Sequence, residues 1–165
     1  MSTHQHVEEA QQILEALGMP KAQQNERSAL ALLALLDLRP GMTWPAARNP
    51  LIGITPIMEW AKEHHDKSWK PNTRETVRRQ SIHQFVDAGL ALKNPDWPGR
   101  PTNSPKAVYQ VSPEALKLLQ SFGRPEWKDN LEHYIANVGS LAARYSKARD
   151  QVRVPVKLTN GKKLM

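Results

Sequence analysis

Apolar residues recur at helical spacing along most of the chain, and the period shifts towards two in short stretches of the second half. Val7, Ala10, Leu14 and Leu17, with Ile13 beside them, predict an amphipathic helix over His6–Leu17 that Gly18 and Pro20 end. Leu30, Leu32, Leu33, Leu35 and Leu36 cover more than one face of a second helix, roughly Gln24–Leu38, which should therefore be central and largely buried. Arg39-Pro40-Gly41 stops it, and residues 40–56, with four prolines and two glycines, read as an ordered loop whose Trp44, Leu51, Ile52 and Ile54 pack on the core. A third helix opens at Thr55-Pro56, with Thr55 as N-cap, turns Ile57, Met58 and Ala61 inward, and ends near His64-His65-Asp66. After the link Lys67–Pro71, a fourth helix opens at Asn72 in a capping-box-like arrangement with Glu75 and runs to Ala88, where Gly89 closes it. Val77, Ile82, Phe85 and Val86 form its apolar side.

Beyond Gly89, Leu90–Lys93 and Ala107–Val111 read as two short strands, joined by a long loop rich in Pro, Asn and Gly. Ser112-Pro113-Glu114 starts a further helix that ends at Phe122-Gly123. A last helix spans about Pro125–Asp150, with Leu131, Tyr134, Ile135, Val138, Leu141 and Ala142 on one face. Val152, Val154, Val156 and Leu158 then alternate with polar residues and Pro155, and Asn160-Gly161 is a hairpin signal. A strand pair interrupted just past its turn reads as a piece of a longer protein. The expectation is a mainly α (α+β) fold, with residues 1–150 forming a helical domain and 151–165 a linker and the first strand of a second one.

Composition narrows this picture. The 165 residues contain no Cys, which excludes disulfides, a thiol nucleophile and thiolate metal sites. The longest apolar run, Ala29–Leu36, is far short of the about 20 residues of a spanning helix. Met1–Ala10 is too polar for a secretory signal, so a cytoplasmic location is the default. The net charge of +7 is unevenly placed: residues 67–110 carry eight basic against three acidic side chains, whereas residues 1–66 are net acidic. A basic region of this kind is the electrostatic footprint of a polyanion partner.

Helices followed by a basic helix and then a hairpin give the order of a winged helix-turn-helix, in which the last helix enters the major groove and the hairpin touches the backbone. The recognition helix is then Asn72–Ala88. Its first turn holds Asn72, Thr73, Arg74 and Glu75, the residues best placed for base edges, since Arg pairs with guanine and Asn with adenine. Arg78 and Arg79 follow one turn on, and His83 shares their side. Lys70, Lys93, Arg100 and Lys106 surround the helix and suit phosphates. Arg78 or Arg79 could equally pair with Glu75 at one-turn spacing.

Catalytic signals are weak. Pro95-Asp96 and Glu126-Trp127-Lys128 match the letters of a PD-(D/E)xK nuclease, but the first lies in a Pro-rich loop and the second at a helix start. His64-His65 lacks the spacing of a helical zinc pair and reads as surface histidine. Five dispersed tryptophans read as core and loop packing.

Several blocks are nevertheless specific when taken together: Gln24-Asn25-Glu26-Arg27-Ser28-Ala29-Leu30 leading into Leu32–Leu38, then Gly53-Ile54-Thr55-Pro56-Ile57-Met58. Pro71-Asn72-Thr73-Arg74-Glu75-Thr76, Arg78-Arg79-Gln80, His83-Gln84-Phe85-Val86, Asn94-Pro95-Asp96 and Arg100–Lys106 continue the series. These blocks resemble the N-terminal region of the BsuBI/PstI family of type II restriction endonucleases, over about residues 10–160. The resemblance implies a helix-turn-helix-like domain preceding a magnesium-dependent PD-(D/E)xK domain, cleavage of double-stranded DNA at a short palindrome, and a homodimer on the site. It places Val154-Pro155-Val156-Lys157-Leu158 at the start of the nuclease domain, so no catalytic residue falls in this chain. The competing reading is a winged-helix regulator that binds DNA without cutting it.

Overall fold

The computed structural model describes residues 3–101 and 104–138. The segment 139–165 lies outside the described residues, and with it the expected continuation of the last helix through Leu141 and Ala142, the expected strand, Asn160-Gly161 and the expected 150/151 boundary.

Helix α1 (Thr3–Ala16) lies along α2 (Glu26–Leu35), whose residues from Ser28 to Leu35 are all buried. An all-round apolar helix can be stable only where other elements cover each side. Here α1, α3 (Ile54–His65) and the helix over residues 73–87 supply that cover. Asn25 caps α2, its Oδ1 accepting from the Ser28 N–H at 2.9 Å. The helix ends earlier than the leucine pattern suggests because Asp37 takes φ 46°, a left-handed turn, while Leu38 stays fully buried.

The Pro-rich loop is ordered as expected. Trp44 and Ile54 are buried, although Leu51 is exposed. The buried His6 ring donates to the Met42 carbonyl at 2.9 Å, and the Trp44 indole N–H donates to Glu9 at 2.9 Å. Phe122 stands edge-on between Trp44 and Trp127.

Two helix starts differ from the sequence expectation. The first residue of α3 is Ile54, with Gly53 in extended conformation before it, so Thr55 lies inside the first turn. Pro56 is tolerated there because first-turn N–H groups have no intrahelical acceptor. The capping box at Asn72 does not form. Asn72 has φ −72° and ψ −11°, already helical, and its side chain makes no cap bond. The first donors are instead met by backbone turns, Thr73 N–H to Lys70 O at 2.8 Å and Arg74 N–H to Pro71 O at 3.2 Å.

From Thr73 to Asp87 the chain is one continuous helix of three parts: α4 (Thr73–Val77), a π turn (Arg78–Ile82) and α5 (His83–Asp87). Val77, Ile82 and Phe85 face inward, with Val86 half-buried. A π turn widens the ladder by one residue and weakens the pairing of its own carbonyls. Two side chains compensate: Gln84 Nε2 donates to Arg79 O at 3.2 Å, and the buried Gln23 Nε2 donates to Gln80 O at 3.0 Å.

The sheet is small and antiparallel. Strand β1 (Ala91–Lys93) pairs with β2 (Tyr109–Val111) in the register Ala91–Val111, Leu92–Gln110, Lys93–Tyr109. On its other edge β2 meets Ile52, and Tyr109 exchanges both backbone bonds with it, at 2.9 and 3.0 Å. β2 therefore sits between the segment that precedes α3 and the strand that follows α5. Ser112 caps α6 (Pro113–Leu119), accepting from the Ala115 N–H at 3.1 Å. Residues 127–138 form α7, which turns Tyr134 inward with Leu131 and Val138 partly covered. Ile135, expected on the same face, is 44% exposed because it lies at the margin of that stripe. The molecule is thus mainly helical with one small antiparallel sheet.

Candidate nucleic-acid interface

Helix α3 ends at Asp66, whose left-handed conformation (φ 53°) turns the chain towards Lys70. This turn sets α4 against α3, and one side-chain bond fixes the pair: Arg74 Nε donates to Thr55 Oγ1 at 3.2 Å. Thr55 thus serves the helix pair rather than capping α3.

Next on the outer side, the Arg78 guanidinium forks onto the Glu75 carboxylate, with Nε donating to Oε1 at 3.1 Å and Nη2 to Oε2. Of the two partners the sequence offered Glu75, the structure selects Arg78. That bond holds Glu75 below the usual carboxylate range and raises Arg78. Arg79 is exposed, and its side chain meets no hydrogen-bond or ion-pair partner among the described residues.

His83 joins this helix to the sheet. Its Nε2 lies 3.5 Å from Arg78 Nη1 and 3.4 Å from the hydroxyl of the buried Tyr109. Burial, followed by repulsion from Arg78 and Lys93, lowers the pKa of His83, so the ring is neutral at neutral pH and its Nε2 can accept from either neighbour. The same burial raises the Tyr109 phenol. Glu75, Arg78, His83 and Tyr109 therefore form one chain of contacts from the helix to β2.

The remaining candidates are placed less uniformly. Lys70, Asn72 and Lys106 are exposed, and Thr73 is half-buried at the start of α4. Arg100 is drawn inward: its side chain is 11% exposed, donating to Asn94 Oδ1 at 2.8 Å and to Asp96 at 2.9 and 3.2 Å. That geometry makes it a brace of the hairpin loop.

Several contributors escaped the sequence reading. Ser81 interrupts the apolar stripe of Val77, Ile82 and Phe85, which was the available signal. It is buried, and its Oγ lies 2.8 Å from Ser28 Oγ on α2 and accepts from Arg27 Nε at 3.1 Å. Trp97 is 54% exposed and so departs from the packing role expected of all five tryptophans. His64 and His65 are half-buried against the Trp60 ring, at 4.9 and 5.4 Å, rather than free on the surface.

The letters Asp96 and Glu126-Trp127-Lys128 do not assemble. Asp96 is held by Arg100 in the hairpin loop, and exposed Glu126 is paired with Arg124 at 3.2 Å ahead of α7. No group of three or more His, Asp and Glu that could hold a metal ion occurs among the described residues.

The family model described as the BsuBI/PstI restriction endonuclease HTH domain matches residues 4–143. The chain belongs to that family. The match runs from the first turn of α1 through the helix pair, the hairpin and α7. Type II restriction enzyme BsuBI of Bacillus subtilis is 51% identical over 161 residues, 98% of this chain and 51% of that enzyme. Type II restriction enzyme AplI of Arthrospira platensis is 38% identical over 152 residues, 92% of this chain and 47% of its own length. The structure of SdaI restriction endonuclease superposes with a TM-score of 0.78 at 30% identity, covering 86% of this chain and 44% of that one. The chain thus spans about half the length of the relatives it matches.

Proposed function

We propose that this chain is the DNA-recognition part of a type II restriction endonuclease, built as a winged helix-turn-helix. The observation that carries the reading is the basic outer side of the helix over residues 73–87, docked on α3 and followed directly by a hairpin, in a member of a restriction endonuclease family. In this reading α2, α3 and the 73–87 helix are the three helices, Ile52, β1 and β2 the sheet, and residues 94–106 the wing. The first turn, with Asn72, Thr73, Arg74 and Glu75, faces base edges, and Arg78 and Arg79 continue along the groove. His83 orients Arg78, while Lys70 and Lys106 take phosphates. Arg100 shapes the wing through Asp96.

The enzyme as a whole cuts double-stranded DNA at a short palindrome as a homodimer, in the cytoplasm, and the residues that hold magnesium and hydrolyse the phosphodiester lie outside those described. Among the described residues, no helix is long and apolar enough to cross a membrane.

The test is a titration of the chain against a duplex that the chain itself enriches from a randomised pool. Neutralising about five phosphates gives a slope of log affinity on log salt near −4 to −5. Binding without salt dependence, or no binding to duplex DNA, overturns the reading.

A further inference from the structure

The hairpin loop carries an indole that the proposed helix contacts do not use. Trp97 is 54% exposed, yet its surroundings are tightly built. Asn94, 4% exposed and at φ 51°, accepts the Val108 N–H at 3.0 Å and Arg100 Nη1 at 2.8 Å on its side-chain oxygen. Its backbone carbonyl accepts the Trp97 N–H at 3.1 Å, and the Trp97 carbonyl accepts the Arg100 N–H at 2.9 Å. The Arg100 guanidinium, fixed by Asp96, stands 5.3 Å from the centre of the Trp97 ring. A single exposed apolar side chain is ordinary on a protein surface. A ring braced by the buried Asn94 and by the Arg100–Asp96 pair is different, because the ordering cost of a rigid contact has been met before any partner arrives.

We propose that Trp97 is a DNA contact of the wing, laying its free face on deoxyribose rings and directing its indole N–H to a phosphate. This rests on the reading of the chain as a DNA-binding domain. With the guanidinium over one face, the ring cannot be sandwiched between two bases. What remains is one apolar face and a donor edge, and the indole N–H meets no acceptor among the described residues. A sugar–phosphate strand presents an apolar sugar surface beside an acceptor oxygen. Lys106, exposed at the end of the same loop, adds positive charge for that strand.

The parent chain, Trp97→Ala, Trp97→Phe and Lys106→Ala are compared on the enriched duplex and on a single-mismatch duplex, with hydroxyl-radical footprints and thermal unfolding. Trp97→Ala should bind both duplexes about tenfold more weakly, with unfolding unchanged and the salt slope unaltered, since a neutral contact releases no counterion. Lys106→Ala should lower the slope by about one. Trp97→Phe should recover part of the loss, and the sugars protected by the parent outside the helix footprint should become cleavable in Trp97→Ala. Parent binding with unchanged affinity and footprint in Trp97→Ala overturns this proposal alone, whereas a parent that does not bind DNA overturns the DNA reading with it. Self-association that Trp97→Ala abolishes while DNA binding stays intact assigns the ring to a protein partner and likewise overturns it.

Discussion

Arg74 and Lys106 carry the same charge in different settings, and that difference is measurable. Arg74 is half-buried, its Nε on Thr55, at the start of the proposed recognition helix, while Lys106 is exposed at the end of the hairpin loop. Arg74→Ala should cost about 1–3 kcal/mol on the enriched duplex and narrow the gap to a single-mismatch duplex. Equal loss on both duplexes shows that this helix end does not read bases. Asp37 belongs to the same scale but serves stability. Its carboxylate accepts the indole N–H of the buried Trp60 at 2.9 Å and pairs with Arg48 and Arg39. Burial by itself would raise its pKa; these donors more than offset that and hold it low. Asp37→Ala should cost about 1–3 kcal/mol in chemical unfolding, because a buried donor loses its acceptor. Asp37→Asn should cost less, since an amide oxygen still accepts and Asn tolerates the left-handed turn. The histidines set the pH dependence. His83 and His65 are both lowered, first by burial and then by neighbouring positive charge. The unfolded chain therefore takes up protons first as pH falls below about 6.5, and stability present above that value is lost on the way down. Melting temperature should drop between pH 7.5 and 5, and His83→Gln and His65→Gln should each flatten the drop.

At the scale of elements, the π turn is the feature on which the helix surface depends. Its buried anchor is the Ser28–Ser81 contact, extended by Arg27 and by Gln23 on the Gln80 carbonyl. Ser28→Ala and Ser81→Ala should each destabilise by about 1–3 kcal/mol, because each breaks the buried hydroxyl pair: Ser81→Ala strands the Ser28 hydroxyl, and Ser28→Ala leaves Ser81 with Arg27 alone. The double variant should cost less than the two singles together, as measured by a double-mutant cycle in denaturant. Additive losses would show that the two hydroxyls do not act as a pair. None of this was legible from periodicity. A helical repeat predicts an unbroken 73–87 helix with a polar side, and the extra residue per turn leaves only a serine on the inner stripe as its trace.

For the whole molecule, the separation of binding from hydrolysis is the testable statement. The acidic groups of the PD-(D/E)xK letters sit in a hairpin loop and at a helix start, each neutralised by an arginine from its own segment. Purified chain incubated with supercoiled plasmid, with or without magnesium, should leave it intact. Cleavage that disappears in Glu126→Ala would show that Glu126 is catalytic.

Sequence alone determined the element order, the burial of α2, the caps at Ser112 and Gly89, the strand pair and the placement of the basic residues. These follow from periods, turn residues and charge, all of which are local. Its blocks also determined the family, because a long series of specific segments discriminates where single motifs do not. Tertiary structure decided what each charged side chain is free to do. Arg78 and Arg79 are adjacent and identical in chemistry, yet one is committed to Glu75 and the other is open to solvent. Arg100 looked like a phosphate ligand and is enclosed with Asn94 and Asp96, while Trp97 looked like packing and stands outside. The physical reason is that a hydrogen-bond partner is chosen by distance in the folded chain. Thr55 and Arg74, Ser28 and Ser81, and His83 and Tyr109 meet across 19, 53 and 26 positions of sequence, and no local pattern records those meetings.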